Sequence, residues 1–203
     1  MHVAVAARRI IVPALLIAAL VMAAGCTGSP APVPAGTASE NPAPEQPAAV
    51  PQTVSPDSWK NTGLVDLGGR GNFTIAGFSG RAVIVTVVAS SCPVCIPQLN
   101  RQVGEAAGAQ RIVPGYADLV VLDLDPAGGP DFLSAYGGRT NFTGWSARAP
   151  PAMAGLIFSR FGPFAVDTTT EPVILACRNG HDILLPPGLK NATALSAAIV
   201  REC

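Results

Sequence analysis

Cys92-Pro93-Val94-Cys95 is the stretch of this sequence best equipped for chemistry. Two thiols separated by two residues can close a disulfide and reopen it, because a thiolate attacks a disulfide sulfur through a mixed-disulfide intermediate. The flanks place the pair. Residues 81–89 carry the run Ala-Val-Ile-Val-Thr-Val-Val, which has almost no polar face, as expected of a strand covered on both sides. Residues 93–107 are expected to be a helix, with Pro93 at its first position, where the missing N–H would have had no partner. Free N–H groups and the positive end of the helix dipole stabilise an anion there, so the Cys92 thiol is expected to ionise more readily than a free cysteine. Cys95, one turn further in and less exposed, is suited to attack a mixed disulfide on Cys92. Pro97 is expected to cost a helical hydrogen bond and to kink the helix early. Two plainer uses of the pair stay open. Half of a zinc site looks the same, although the further ligands available, Cys177, Cys203 and His181, do not stand at knuckle spacing. A purely structural bond is the other, although so short a loop constrains the unfolded chain little.

The elements that must hold the pair lie in residues 59–203. Residues 64–67 and 73–75 flank a Gly-rich turn as a hairpin would. Residues 119–122, Leu-Val-Val-Leu, form a second buried-strand run, and with the intervening helix the order is a βαβ crossover with parallel strands. Residues 131–136 and 152–161 are two short helical candidates in a stretch of weak periodicity. Residues 172–177 and 181–185 surround Asn179-Gly180, a strong hairpin signal. Residues 191–201 close the chain as a helix capped by Asn191, with Leu195, Ile199 and Val200 as its apolar contacts. No internal repeat is visible.

The 203 residues include 20 prolines and 21 glycines, and the prolines are concentrated before residue 57. Residues 1–25 read as an export signal, with Arg8-Arg9, an apolar run over 10–22 and small residues up to Cys26. The small residues before a cysteine resemble a lipoprotein cleavage site, which implies lipid attachment at Cys26; an uncleaved N-terminal anchor is the alternative. Residues 26–58, rich in Pro and Ala, read as a disordered tether that spaces the domain from a membrane. The location implied is the outer face of the cytoplasmic membrane. With 13 basic and 13 acidic residues the net charge is zero, so no field gathers nucleic acid, and none is expected as a partner. Asn-x-Thr sequons at Asn72, Asn141 and Asn191 permit glycosylation in an exported chain.

Taken together, residues 63–75, Gly80-Arg81, residues 89–95 and Glu171-Pro172-Val173-Ile174-Leu175 resemble the thioredoxin superfamily, in particular its membrane-tethered TlpA-like and ResA-like thiol–disulfide proteins. The resemblance implies an α/β fold with a central mixed sheet, flanking helices and an N-terminal β-hairpin. It implies Cys92 as nucleophile, Cys95 as resolving thiol and a cis peptide at Pro172 facing them, with an ordinary trans proline as the alternative. Glu171 would then lie near the cysteines, as a proton acceptor or simply as a solvated loop residue. Implied partners are exported thiol or disulfide proteins, a membrane thiol reductant and, through the anchor, membrane lipid; no cofactor and no metal are implied. Ser91 before the motif and the Pro-Val between its cysteines depart from the commonest patterns. Asp123 to Pro126 and Gly144-Trp145 are similar to the copper-binding Sco branch of the same fold, but the CxxC spacing differs from its CxxxC and Val166-Asp167-Thr168 lacks a nearby histidine. His181 reads as a surface residue after a turn. In a sheet of this kind Cys177 lies about 17 Å along its strand from Pro172, and a helix over residues 191–203 covers about 18 Å back towards the Asn179-Gly180 turn. The lengths match, so Cys177 and Cys203 are expected to form a structural disulfide; a buried Cys177 and a frayed Cys203 are the alternative.

Overall fold

A computed structural model describes residue 55 and residues 57–78, 80–128 and 142–203. The apolar run becomes strand β3 (Ala82–Val88), buried along its whole length, as a strand without a polar face must be. On one side of it lies β4 (Ala117–Asp123), parallel, followed by β5 (Trp145–Arg148), also parallel. On the other side β6 (Val173–Ala176) and β7 (Asp182–Leu184) pair antiparallel, giving a five-stranded mixed sheet in the order β5-β4-β3-β6-β7. A separate two-stranded hairpin, β1 (Leu64–Val65) and β2 (Asn72–Phe73), precedes the sheet and is shorter than the sequence suggests. It is held to the sheet edge where Leu67 N donates to Ser146 O at 2.8 Å.

Among the described residues three α-helices, α1 (Ile96–Ile112), α2 (Pro151–Phe161) and α3 (Ala192–Glu202), cover the two faces. Side chains alternate along a strand, so β3 feeds two cores. Val83, Val85 and Val87 pack with Val120, Leu122 and Ile174 against Met153 and Ile157 of α2 and against Trp59. Ala82 and Ile84 pack with Leu119 and Leu175 against Ala106 and Ala109 of α1 and Leu195 and Ile199 of α3. Helices α1 and α3 approach closely at Gly108, where an added Cβ would stand 2.8 Å from the Ala192 Cβ.

The final helix starts where its cap was expected, with Asn191 Oδ1 accepting from Ala194 N at 2.8 Å. Val200, expected among its apolar contacts, instead points to solvent at 67% exposure, because Leu195 and Ile199 already define the buried stripe. The helical candidate at residues 131–136 lies outside the described residues. β5 was not anticipated: its four residues, Trp-Ser-Ala-Arg, carry no strand period long enough to read, and its pairing with β4 supplies what its sequence lacks.

Candidate functional site

The carboxyl end of β3 delivers the chain directly into residues 89–92. Two aspartates at the end of β4 hold that loop. Asp123, fully buried and paired in register with Val88, accepts hydrogen bonds from Ser90 N (3.1 Å), Ser90 Oγ (2.6 Å) and Asp125 N (3.1 Å). Asp125 accepts from Ser91 N at 2.9 Å and from Ala127 N at 2.8 Å. Hydrogen bonds from Ser91 and then from the Ala127 N–H hold the Asp125 carboxyl below its ordinary pKa.

Cys92 and Cys95 are disulfide-bonded, with their Cα atoms 5.2 Å apart. Cys92 is partly exposed, Cys95 is 8% exposed, and Val94 between them stands out at 83%. The helix does not begin at Pro93. Residues 92–95 form a turn closed by Cys95 N donating to Cys92 O (2.9 Å), Cys95 is the N-cap, and α1 runs from Ile96. Pro97 therefore falls in the first helical turn, where an N–H has no intrahelical partner, so the expected lost hydrogen bond and kink do not arise there. Cys92 still precedes the helix N-terminus, three residues before its cap.

Pro172 is buried beside the end of β3, its carbonyl accepting from Val87 N at 3.1 Å. The expected cis bond is absent: no peptide bond among the described residues is cis, and Glu171–Pro172 is trans. The chain turns into β6 through Glu171 instead, which adopts left-handed backbone angles (φ 53°, ψ 56°). That conformation is costly for a residue with a Cβ, and it is held by Lys190 Nζ, which donates to Glu171 O at 2.7 Å. Burial pushes the Lys190 pKa down, with the Glu171 charge acting against it. Glu171 and Cys95 line one small recess, together with Thr86 of β3 and Leu99 and Gln102 of α1.

Thus the structure brings Cys92, Cys95, Glu171 and Pro172 to one end of the sheet. Because β6 runs antiparallel to β3, Cys177 lies at the other end, bonded to Cys203 with a Cα–Cα distance of 4.7 Å. His181 is exposed, its N–H donating to Asn179 Oδ1 (2.9 Å). Cys26 and the rest of the leader and tether up to Val54 lie outside the described residues. Among the described residues no three His, Cys, Asp or Glu side chains converge in a potential metal site. Sequence reasoning gave no role to Thr86, Gln102 or Asp123. Signals existed: Thr86 is the one hydroxyl in the β3 run, Gln102 sits on the apolar stripe of Leu99, Val103 and Ala106, and Asp123 ends the second buried run.

No protein-family model matches the chain, and no curated protein does. Solved structures do match. A secreted Mycobacterium tuberculosis disulfide oxidoreductase homologous to E. coli DsbE superposes with TM-score 0.53 at 14% identity, over 71% of this chain and 98% of its own. A thiol:disulfide interchange protein of the thioredoxin family from Chlorobium tepidum gives 0.55 at 14%, over 70% and 92%. Copper-bound ScoI of Bradyrhizobium japonicum gives 0.51 at 19%, over 70% and 96%. With a mixed five-stranded sheet, helices on its faces and a CxxC pair beyond its central strand, the chain has a thioredoxin-like fold.

Proposed function

We propose that the chain is an extracytoplasmic, membrane-tethered thiol–disulfide oxidoreductase. The observation that carries this is the Cys92–Cys95 bond at the carboxyl end of the central strand, one sulfur in a partly exposed residue and the other in a buried one. Cys92 is the nucleophile: its thiolate attacks a client disulfide and forms a mixed disulfide. Cys95 then attacks the Cys92 sulfur, closing the motif and releasing the client as a thiol. Pro172 offers a backbone wall beside the motif, and Glu171 is the proton acceptor for Cys95. Clients are exported proteins, a membrane thiol donor resets the pair, and lipid on Cys26 retains the domain at the outer face of the cytoplasmic membrane. No cofactor is needed, since both electrons reside in the sulfurs.

The test is insulin reduction by the full chain with dithiothreitol as donor. Wild type should accelerate precipitation of the insulin chains, and Cys92→Ser should abolish the acceleration. Wild-type rates no faster than dithiothreitol alone would sink the proposal. The second reading, a copper-binding module, is favoured by the likeness to copper-bound ScoI; reduced Cys92 and Cys95 are soft ligands suited to Cu(I). Titration of the reduced protein with Cu(I) against a competing chelator separates the two readings: tight one-to-one binding without insulin reduction would select the second.

A further inference from the structure

Two buried polar atoms behind the motif have no hydrogen-bond partner, Thr86 Oγ1 and Gln102 Nε2, each in a residue only 1% exposed. Their placement is consistent. Thr86 lies on the β3 face of Ala82 and Ile84, the face that α1 covers, and Gln102 is on the buried stripe of α1. The orientation of the Gln102 amide is determined, because Lys190 N–H donates to Oε1 at 3.1 Å and an amide nitrogen could not accept it. Both residues line the recess shared by Cys95 and Glu171. That recess leaves about 10 Å³ for the centre of a water molecule, room for one water. A buried hydroxyl and a buried amide without partners are costly, and a bridging water is the ordinary remedy.

We infer that this recess binds one water molecule through Thr86 Oγ1 and Gln102 Nε2, and that this water carries the Cys95 thiol proton to the Glu171 carboxylate. The inference rests on the thiol–disulfide reading above. In the step, Cys95 S–H gives its proton to the water as the water gives one to Glu171, so a thiolate and a neutral carboxyl result. The Cys95 thiolate attacks Cys92 Sγ; the Cys92–Cys95 bond forms, the Cys92–client bond breaks, and the electron pair leaves on the client sulfur. Thr86 and Gln102 are positioning residues. Every lining residue other than Cys95 and Glu171 is uncharged; titratable groups beyond the lining are Cys92, Lys190 through the Glu171 carbonyl, and Asp123 and Asp125, which hold Ser90 and Ser91 of the motif loop.

The experiment uses the reduced full chain in detergent and Ellman's reagent as the disulfide. Acid quench and peptide mass mapping follow formation of the Cys92–thionitrobenzoate adduct and its decay into the Cys92–Cys95 bond. Thr86→Val, which keeps the shape and removes only the hydroxyl, should slow decay about tenfold at neutral pH, the rate equivalent of one hydrogen bond, while adduct formation stays within about twofold of wild type. The deficit should shrink as pH rises, because hydroxide then removes the thiol proton without the relay, and Thr86→Ser should restore the wild-type profile. Decay of the Thr86→Val adduct at the wild-type rate across the pH range overturns the water relay and leaves thiol exchange standing. A wild-type adduct that never forms, or never decays to the Cys92–Cys95 bond, overturns the exchange reading itself. A water-selective nuclear Overhauser experiment supplies the second measurement: a cross-peak from a long-lived water to the Thr86 methyl is expected, and its absence overturns the site.

Discussion

Removing the Asp123 carboxyl should unfasten the loop that carries the motif. Asp123→Ala deletes the acceptor of three hydrogen bonds, from Ser90 N, Ser90 Oγ and Asp125 N. Ser90 is buried, and its N–H and hydroxyl lose their partner at a site water does not reach freely. At about 1–3 kcal/mol for each unsatisfied buried group, the two Ser90 donors together cost about 3–4 kcal/mol. Asp125 N is in a more exposed loop and recovers a water, so it adds little. Asp123→Asn is the control. Its amide oxygen keeps the two N–H donors, and the Ser90 hydroxyl can rotate to accept from the new NH2, so about 1 kcal/mol is expected. Urea denaturation of the oxidised full chain, read by circular dichroism, gives both values. Equal losses for the two variants, or a loss under about 1 kcal/mol for alanine, would refute the claim that this carboxyl fastens the loop.

Cys203→Ser opens a loop with a sequence separation of 26 residues and should lower stability by about 3.5 kcal/mol in the chain-entropy model, with insulin reduction unchanged; a non-reducing peptide map in which Cys177 is linked to Cys92 or Cys95 would contradict the structural role. Asp66 is buried, which raises its pKa, but hydrogen bonds from Arg70 and from Ser146 N and the Arg70 charge outweigh this and hold it below the ordinary 3.8. A carboxyl with a lowered folded pKa contributes stability that is present above 3.8 and lost as pH falls through the folded value. Asp66→Asn should therefore flatten the acid loss in the urea midpoint below about pH 4, and parallel wild-type and variant curves would refute this. Cys26→Ser should release the folded domain from the membrane fraction or stall the precursor, as immunoblots of fractionated cells would report; unchanged membrane retention with the leader still attached would favour the uncleaved anchor.

The central strand, the crossover helix and the motif between them were legible because each is written locally: a two-sided apolar run for β3, a helical stripe for α1, two cysteines at fixed spacing. The start of α1 was not. Pro93 and Pro97 both suit a first helical turn, and the local rule does not choose between them. The choice falls to the turn closed between Cys92 and Cys95, after which Cys95 caps the helix. Asp123 was visible as a residue but not as a fastener, because its partner Ser90 is 33 positions away and meets it only through the parallel register that pairs Val88 with Asp123. The trans bond before Pro172 has the same lesson. Resemblance suggested a cis bond, whereas the observed turn depends on Lys190, 19 residues further on, holding the Glu171 carbonyl.

The placement of the two disulfides bears on how one bond can cycle while the other persists. Pro172 stands at the level of Val87, and Ala176, just before Cys177, pairs with Val83, so the length of β6 separates Cys177 from the motif. Five residues of strand amount to about 17 Å, far beyond the 4.4–6.8 Å between Cα atoms that a disulfide spans. A thiolate on Cys92 or Cys95 cannot reach the Cys177–Cys203 bond without unfolding the sheet. Exposure does not distinguish the two bonds, since each joins a buried cysteine, Cys95 at 8% or Cys177 at 7%, to a partly exposed one, Cys92 or Cys203; distance within the fold does. Exchange between the thiolates of the motif and the second bond is therefore blocked, and cycling of the motif leaves the second bond closed. Its contribution to stability is available in every redox state of the working pair.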